Sequence, residues 1–344
     1  MVKTAVVILN WNGIRYKHLS NFLSNVLEHS SADAEVIVAD NNSDDNSLEW
    51  LHENHPEVRV IKNPDNSGFA SGYNKALRQV EAEYYVLLNS DIEVTGNWIV
   101  PIIEMMDNDP SIAACQPKIM NQNEGFRDEF EYAGAAGGYI DKYGYPFCRG
   151  RMFQYLEKDK GQYDDSREVF WATGACMFVR AELYHELGGL DDDFFAHMEE
   201  IDLCWRFKNK GYKVMYCGRS EVYHVGGGTL PKKYPKKTYL NFRNNLTLLF
   251  KNLPQDRLLK VYMARIFLDG VAAFKFLLEG SFMSFIAVTR AHISFLRTYS
   301  KTMKKRRLCQ HKQVADIYWG NIAMDYFLKR KKRFTDLPVE KFSK

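Results

Sequence analysis

Through the first ninety residues, apolar runs of strand length alternate with amphipathic stretches of helix length. The runs are TAVVILN (4–10), EVIVAD (35–40), EVRVIK (57–62) and EYYVLLN (83–89). Between them, residues 17–29, 46–54 and 71–81 repeat their apolar positions at helical spacing. Near-continuous β-branched and apolar runs suit strands buried on both faces. The β-α-β-α-β-α-β order therefore predicts an α/β fold with a doubly wound, mostly parallel sheet. Further on, TGNWIVPIIEMMDNDP reads as a helix ended by Asp109-Pro110, and IAACQPKIM as another strand. Residues 121–168 predict a long loop or small ribbon, and a strand and helix follow, the helix stopped by Gly188-Gly189. A helix over 198–209 precedes the strand-like KVMYC and SEVYHVGGGT. From about residue 231 a Pro/Lys linker, LPKKYPKKTY, opens a stretch of helical pattern. This divides the chain into 1–230 and a helical extension, 231–344.

In open parallel sheets, ligands bind beyond the carboxyl ends of the strands. Those ends carry Asn10-Trp11-Asn12-Gly13, Asp40-Asn41-Asn42-Ser43, NPDNSGFASGYN after the third strand, and Asn89-Ser90-Asp91. Each could be a turn former alone; four on one edge point to a polar ligand. Asp40 stands where such folds take a nucleoside hydroxyl. Asp91 is a carboxylate for Mg²⁺ or Mn²⁺, and His224 a candidate second ligand. The glycines after His224 offer backbone N–H groups to a diphosphate. The absence of G-x-G-x-x-G after the first strand argues against a dinucleotide dehydrogenase, and that of G-x-x-x-x-G-K-[ST] excludes a P-loop.

Charge changes the picture near the C-terminus. The last 44 residues carry a net +9, and the first 300 a net −6. In 280–300, Phe282, Phe285, Ile286, Ile293 and Leu296 share one helical face, and Arg290, Arg297, Lys301 and Lys304 follow the same period on another. With KKRR (304–307) and KRKKR (329–333), this predicts an anionic membrane surface as partner for residues 280–333. No apolar run reaches the ~20 residues of a membrane-spanning helix. The six cysteines lie far apart without a C-x-x-C pair, which suits reduced core residues of a cytoplasmic protein.

The stretch FAHMEEIDLCWR (195–206) sets three carboxylates among apolar residues. On a helix, Glu199, Asp202 and Arg206 share a stripe, which predicts a surface or domain-bridging ion-pair set. Glu200 falls with Leu203, Cys204 and Phe207. A carboxylate on that side needs a partner or a task, and burial would raise its pKa toward that of a general base. The helix dipole at a first-turn position opposes that shift.

Taken together and in order, VVILNWNG, VIVADNNSDDNS, NSGFASGYNKAL, YYVLLNSDIEV, the stretch WATGACMFVRAELYHELGGLDDDFFAHMEEIDLCWRFKNKGYKV and VYHVGGGT resemble the inverting family 2 nucleotide-sugar glycosyltransferases of the GT-A fold, in particular their bacterial rhamnosyltransferase-like branch. YLNFRNNLTLLFKNL (239–253) resembles the juxtamembrane segment of that branch. The resemblance implies metal-dependent transfer of a sugar, with inversion, to a saccharide or lipid-linked acceptor in cell-surface glycan biosynthesis, at the cytoplasmic face of the membrane. It implies donor binding by Asn10, Asn12, Asp40, Asn41, Gly68, Asn74, Asn89 and Asp91. Asp91 and His224 would hold Mg²⁺ or Mn²⁺, and Trp171, Thr173 and Gly174 would face the acceptor. The second acid of the family's acidic pair is the base, here Glu200, with Glu199 its rival. Two positions depart from the pattern: Asn89 and Glu200 stand where Asp is usual. A sugar nucleotidyltransferase and a catalytically silent nucleotide-binding relative are the alternative readings; nucleic acid is not an expected partner.

Overall fold

A computed structural model describes residues 2–30, 32–226 and 235–343. The expected alternation is present: β1 (Val2–Asn10), α1 (His18–Ser30), β2 (Glu35–Asp40), α2 (Ser47–Asn54), β3 (Arg59–Lys62), α3 (Phe69–Leu77) and β4 (Ala82–Asn89). These strands lie parallel in the order β3-β2-β1-β4, with Asn10 level with Asp40 and Leu9 level with Asn89. Side-chain alternation along β1 builds both cores at once. Val6 and Ile8 pack toward Leu19, Leu23 and Ile102, whereas Ala5 and Val7 pack toward Tyr73 and Leu77.

The other half of the sheet is mixed. After β5 (Ile92–Val94), α4 (Val100–Asn108) and β6 (Ile112–Asn121), the chain forms β7 (Gly138–Asp141), β8 (Pro146–Cys148), β9 (Arg151–Met152), β10 (Tyr155–Leu156) and β11 (Ser166–Glu168). β12 (Cys176–Arg180) then runs antiparallel between β4 and β6. α5 (Ala181–Glu186) and α6 (Glu199–Lys210) lead into β13 (Lys213–His224), which takes up both strand-like runs of that region. A register shift between Cys217 and Glu221 lets β13 pair with β6 and, near its end, with β5.

The segment expected as a loop or ribbon is a second sheet, β10-β9-β8-β7-β14, whose last strand β14 (Ile317–Tyr318) comes from far along the chain. Among the described residues, α7 (Pro235–Asn252), α8 (Gln255–Leu278) and α9 (Phe282–Leu308) lie between β13 and β14. Pro235 to Tyr239, the end of the expected linker, are thus helical; residues 230–234 of it lie outside the described residues. α7 packs on α9 through Leu246, Phe250 and Phe295. On α9 the inward face is Ala287, Val288, Ala291 and Phe295, while Phe282, Ile293 and Leu296 are exposed. Small alanines let the helices approach closely, so the bulky residues that mark the face in sequence point outward. Among the described residues, no helix is long and apolar enough to cross a membrane.

Candidate active site

The parallel strand ends meet as a polar cluster. The Asn10 amide donates to Asp40 Oδ1 (2.9 Å) and to Ser43 Oγ (3.2 Å). Asp40 also accepts from the Ser43 hydroxyl (2.6 Å) and backbone N–H (3.0 Å). Asn12, in the left-handed region at φ 56°, accepts from Asp44 N–H (2.9 Å). Asp40 is therefore committed to shaping the turn. Asn10 Oδ1 and Asn12 Nδ2 are buried without protein partners, leaving an acceptor and a donor at the strand ends. Trp11 and Tyr16 stand exposed beside them, ring centroids 6.3 Å apart.

Asn41 lies one strand over in an amide ladder. It accepts from Asn63 Nδ2 (3.0 Å) and donates to Asn66 Oδ1 (2.9 Å). Gly68, at φ 98°, is where α3 meets the loop before α6: a Cβ there would lie 2.6 Å from Phe195. Phe69 N–H also donates to the Phe195 carbonyl (2.7 Å). Asn74 is not in this cluster. Its amide donates to the Leu190 carbonyl and Asp192, both at 2.7 Å, and accepts from Tyr184 (2.7 Å) and Leu190 N–H (3.1 Å). All of its bonding capacity latches α3 to α5 and the loop after it.

At the next strand ends, β5 pairing places Asp91 beside His224, with Asp91 Oδ1 to His224 Nε2 at 3.2 Å. Asn89 Nδ2 is 3.4 Å from the same nitrogen. The other imidazole nitrogen, Nδ1, lies 3.0 Å from Glu131 Oε2, and all three titratable groups are buried. Burial disfavours the imidazolium, but the carboxylates of Asp91 and Glu131 on its two sides overcome this and hold the His224 pKa well above its usual value. Burial likewise works against the Asp91 carboxylate, and His224 outweighs it, lowering the pKa to about 2. His18 lies within electrostatic reach of Asp91 and His224.

Among the described residues no three His, Cys, Asp or Glu side chains form a ready metal cage. Asp91 and His224 nonetheless make a two-donor edge, with Glu131 fixing the imidazole from behind as outer partners of metal ligands do. A hard divalent ion bound through one carboxylate draws its remaining ligands from water and phosphate, so the residues fit such an ion. The glycines 227 and 228 and Thr229, expected to meet a diphosphate, lie outside the described residues.

The segment before β12 joins this edge to the acidic pair. Asn89 N–H donates to the Ala175 carbonyl (2.9 Å), and a Cβ on Gly174 would lie 3.6 Å from that of Glu200. Thr173 N–H is held by Gln116 (2.9 Å). Trp171 is buried against Gly138 with its indole N–H on the Tyr139 carbonyl (3.0 Å), a core position rather than one facing an acceptor.

α6 differs from its sequence pattern. Asp202 is the buried ion-pair member, 2.9 Å from both Arg206 and Lys251, with Asn252 donating to its other oxygen (2.8 Å). It bridges α6 to α7. Glu199 does not join that set: it is 4% exposed and its Oε2 has no partner. Glu200 is half-buried, also with Oε2 unpartnered. Burial, then the neighbouring charge of Glu200, push the Glu199 carboxyl well up. For Glu200, burial prevails over the N–H groups of the helix start and raises the pKa to about 7.

The loop leading into α6 holds Phe195, His197 and Met198 at positive φ (66°, 71° and 75°). Such backbone persists where its surroundings impose it. Asn244 of α7 does so: its amide N–H₂ group lies within hydrogen-bond reach of the carbonyls of Phe194, Ala196 and His197 at 3.0, 2.9 and 2.7 Å. Glu131, His18 and Asn244 had no signal in sequence, since each joins the site through a distant partner.

The family model described as glycosyl transferase family 2 matches residues 5–188, more than half of the chain. The chain belongs to that family. This glycosyltransferase is 23% identical over 220 residues to an N-acetylglucosaminyl-diphospho-decaprenol L-rhamnosyltransferase of Mycobacterium tuberculosis, covering 60% of this chain and 71% of that one. It is 24% identical over 232 residues to the low-salt glycan biosynthesis hexosyltransferase Agl10 of Haloferax volcanii, covering 64% and 69%. Among solved structures, GalNAc-T7 with UDP, GalNAc and Mn²⁺ matches at TM-score 0.58 and 16% identity, over 74% of this chain and 49% of that one. The mannosyltransferase PcManGT of Pyrobaculum calidifontis, with GDP-Man and Mn²⁺, matches at 0.51 and 14%, over 89% and 84%. These likenesses show that the glycosyltransferase has the GT-A fold.

Proposed function

We propose that this glycosyltransferase moves a sugar from a nucleotide-sugar to a hydroxyl of a lipid-linked saccharide, with inversion, and that Glu200 is its base. Residues 1–230 serve as the catalytic unit and 231–344 as an extension that braces it. The observation that carries this reading is Glu200: a half-buried carboxylate with an unpartnered oxygen, pKa about 7, beside Gly174, whose neighbour Ala175 accepts from the Asn89 N–H. A base whose pKa lies near working pH is suited to its task.

In the proposed reaction Glu200 takes the proton of the acceptor hydroxyl as its oxygen bonds to the anomeric carbon. The bond from that carbon to the diphosphate breaks, and its electron pair leaves on the diphosphate oxygen. Attack opposite the leaving group inverts the configuration. Asp91 and His224 would hold a divalent metal, with Glu131 fixing the imidazole, and Asn89 stands beside them. Such a metal supplies positive charge for the departing diphosphate. Asn10 and Asn12 present their free polar atoms to the nucleoside, with Trp11 and Tyr16 offering ring faces. The relatives' names, a lipid-diphosphate rhamnosyltransferase and a glycan hexosyltransferase, support the acceptor class.

The test supplies the purified chain with a panel of nucleotide-sugars and polyprenyl-diphosphate-linked acceptors, with and without EDTA. The anomeric configuration of the product is read by NMR. Retention of configuration would overturn the single displacement; transfer insensitive to EDTA would remove the metal from it.

A further inference from the structure

The outward face of α8 is built unlike a solvated helix face. Leu259, Met263, Ile266, Phe267, Phe274 and Leu278 all project from it, Phe267 at 72% and Leu278 at 73% exposure. They recur at intervals of three, four and seven residues, so they form one continuous stripe along a helix of about 36 Å at 1.5 Å per residue. Val271 and Leu277 widen it, and Phe282 and Met283 continue it past the α8–α9 turn. Apolar surface on this scale, in one patch, exceeds what a monomer leaves to water without use. The opposite face is fixed: Arg265 and Asp269 are buried in a polar network with Tyr145, Asn245 and His292.

Cations rim the stripe. Lys260 and Lys275 lie on α8 itself and are exposed, Lys275 in an ion pair with Glu279. Lys275 Nζ sits 5.7 Å from the Phe327 ring, which brings the turn Met324–Leu328 alongside α8 with exposed Met324, Phe327 and Leu328. The basic run Lys329–Arg333 follows directly, with Arg330 and Lys332 exposed. An apolar stripe edged by lysine and arginine matches the acyl and headgroup layers of an anionic bilayer. A second copy of the chain is the poorer occupant: a two-fold contact through α8 would bring the same cationic rim against itself.

We infer that α8, with the α8–α9 turn and residues 324–333, is a lipid-docking surface that lies in the plane of an anionic membrane. This shifts the contact from the basic face of α9 to the apolar face of α8. The catalytic assignment is independent of it, because no residue proposed for the reaction lies on this surface.

The test uses the full chain and vesicles of phosphatidylcholine with or without phosphatidylglycerol, followed by flotation. The wild type should float with the anionic vesicles, and salt should weaken the association. Phe267→Asp with Phe274→Asp should lower binding roughly a hundredfold. Its melting temperature and its transfer to a soluble acceptor should not change, because both side chains already face outward. Phe274→Trp should show a blue-shifted emission on anionic vesicles and none in buffer. The proposal is overturned if the double variant floats like wild type, if the wild type ignores both vesicle types, or if sedimentation shows a dimer that the same two substitutions abolish. Loss of flotation with transfer intact, or the reverse, separates this surface from the reaction.

Discussion

The sharpest consequence of the site concerns pH. Glu200 must be ionised to accept a proton, and burial raises its pKa to about 7. The acid limb of kcat/KM should therefore bend near pH 7, fall to about a tenth of its plateau at pH 6, and drop about tenfold for each further unit. An ordinary exposed glutamate would leave the profile flat to about pH 5. Glu200→Gln should reduce transfer by roughly 10²- to 10⁴-fold with donor affinity nearly unchanged. Stability should move the other way. The folded state binds this proton more tightly than the unfolded chain, so stability falls as pH rises from the ordinary 4.5 through 7. That rise corresponds to about 3 kcal/mol held against the fold at pH 8. The Gln variant removes the penalty, and should melt higher than wild type at pH 8 but not at pH 4. Glu199→Gln separates the two acids: burial and the charge of Glu200 already favour its protonated form, so the amide should leave the acid limb near pH 7 in place. Initial rates across pH 5 to 9, paired with thermal melts, measure all of this. A profile flat to pH 5, or an active Glu200→Gln enzyme, would refute the reasoning.

Other outcomes follow from the same geometry. Asn244→Ala takes the amide from the Ala196 and His197 carbonyls, while that of Phe194 keeps Arg243, so kcat should fall while the donor KM changes little, which steady-state kinetics would read. Lys251→Met removes the cation shared by the buried carboxylates of Asp191 and Asp202, which keep Lys305 and Arg206, and should cost about 2–3 kcal/mol in chemical denaturation. Glu131→Ala frees the imidazole of His224, and should weaken metal-dependent donor binding by about 10- to 100-fold in calorimetry.

The parallel half of the fold was legible because its strands and helices are local and strongly patterned. Residues 4–10, 35–40 and 83–89 pair along the sheet much as their runs suggest. The antiparallel entry of β12 was not legible, since no local pattern fixes which neighbours a strand meets. At the site, Asn10, Asp40, Asn89, Asp91 and His224 stand at strand ends, where turn chemistry marks them. Asn74 and Trp171 resemble ligand residues in sequence but spend their polar atoms on backbone and core. Helical spacing separated Glu200 from Glu199 and Asp202, yet it assigned the buried position to the wrong glutamate. Burial on α6 is decided by α7 packing over Asp202, a contact formed some fifty residues later.

The second sheet sets an order of events in the life of the chain. Tyr139 and Phe147 pack against Phe334 and Phe342, and β7 gains β14 as its parallel neighbour. The ribosome therefore releases the apolar stripe of α8 well before the aromatic cluster beneath the catalytic unit can close. Contacts this distant in sequence form slowly. A nascent chain paused in that interval carries an open core and an apolar helix face together. Until residues 334–342 emerge, that open aromatic core is the part of the chain most exposed to aggregation.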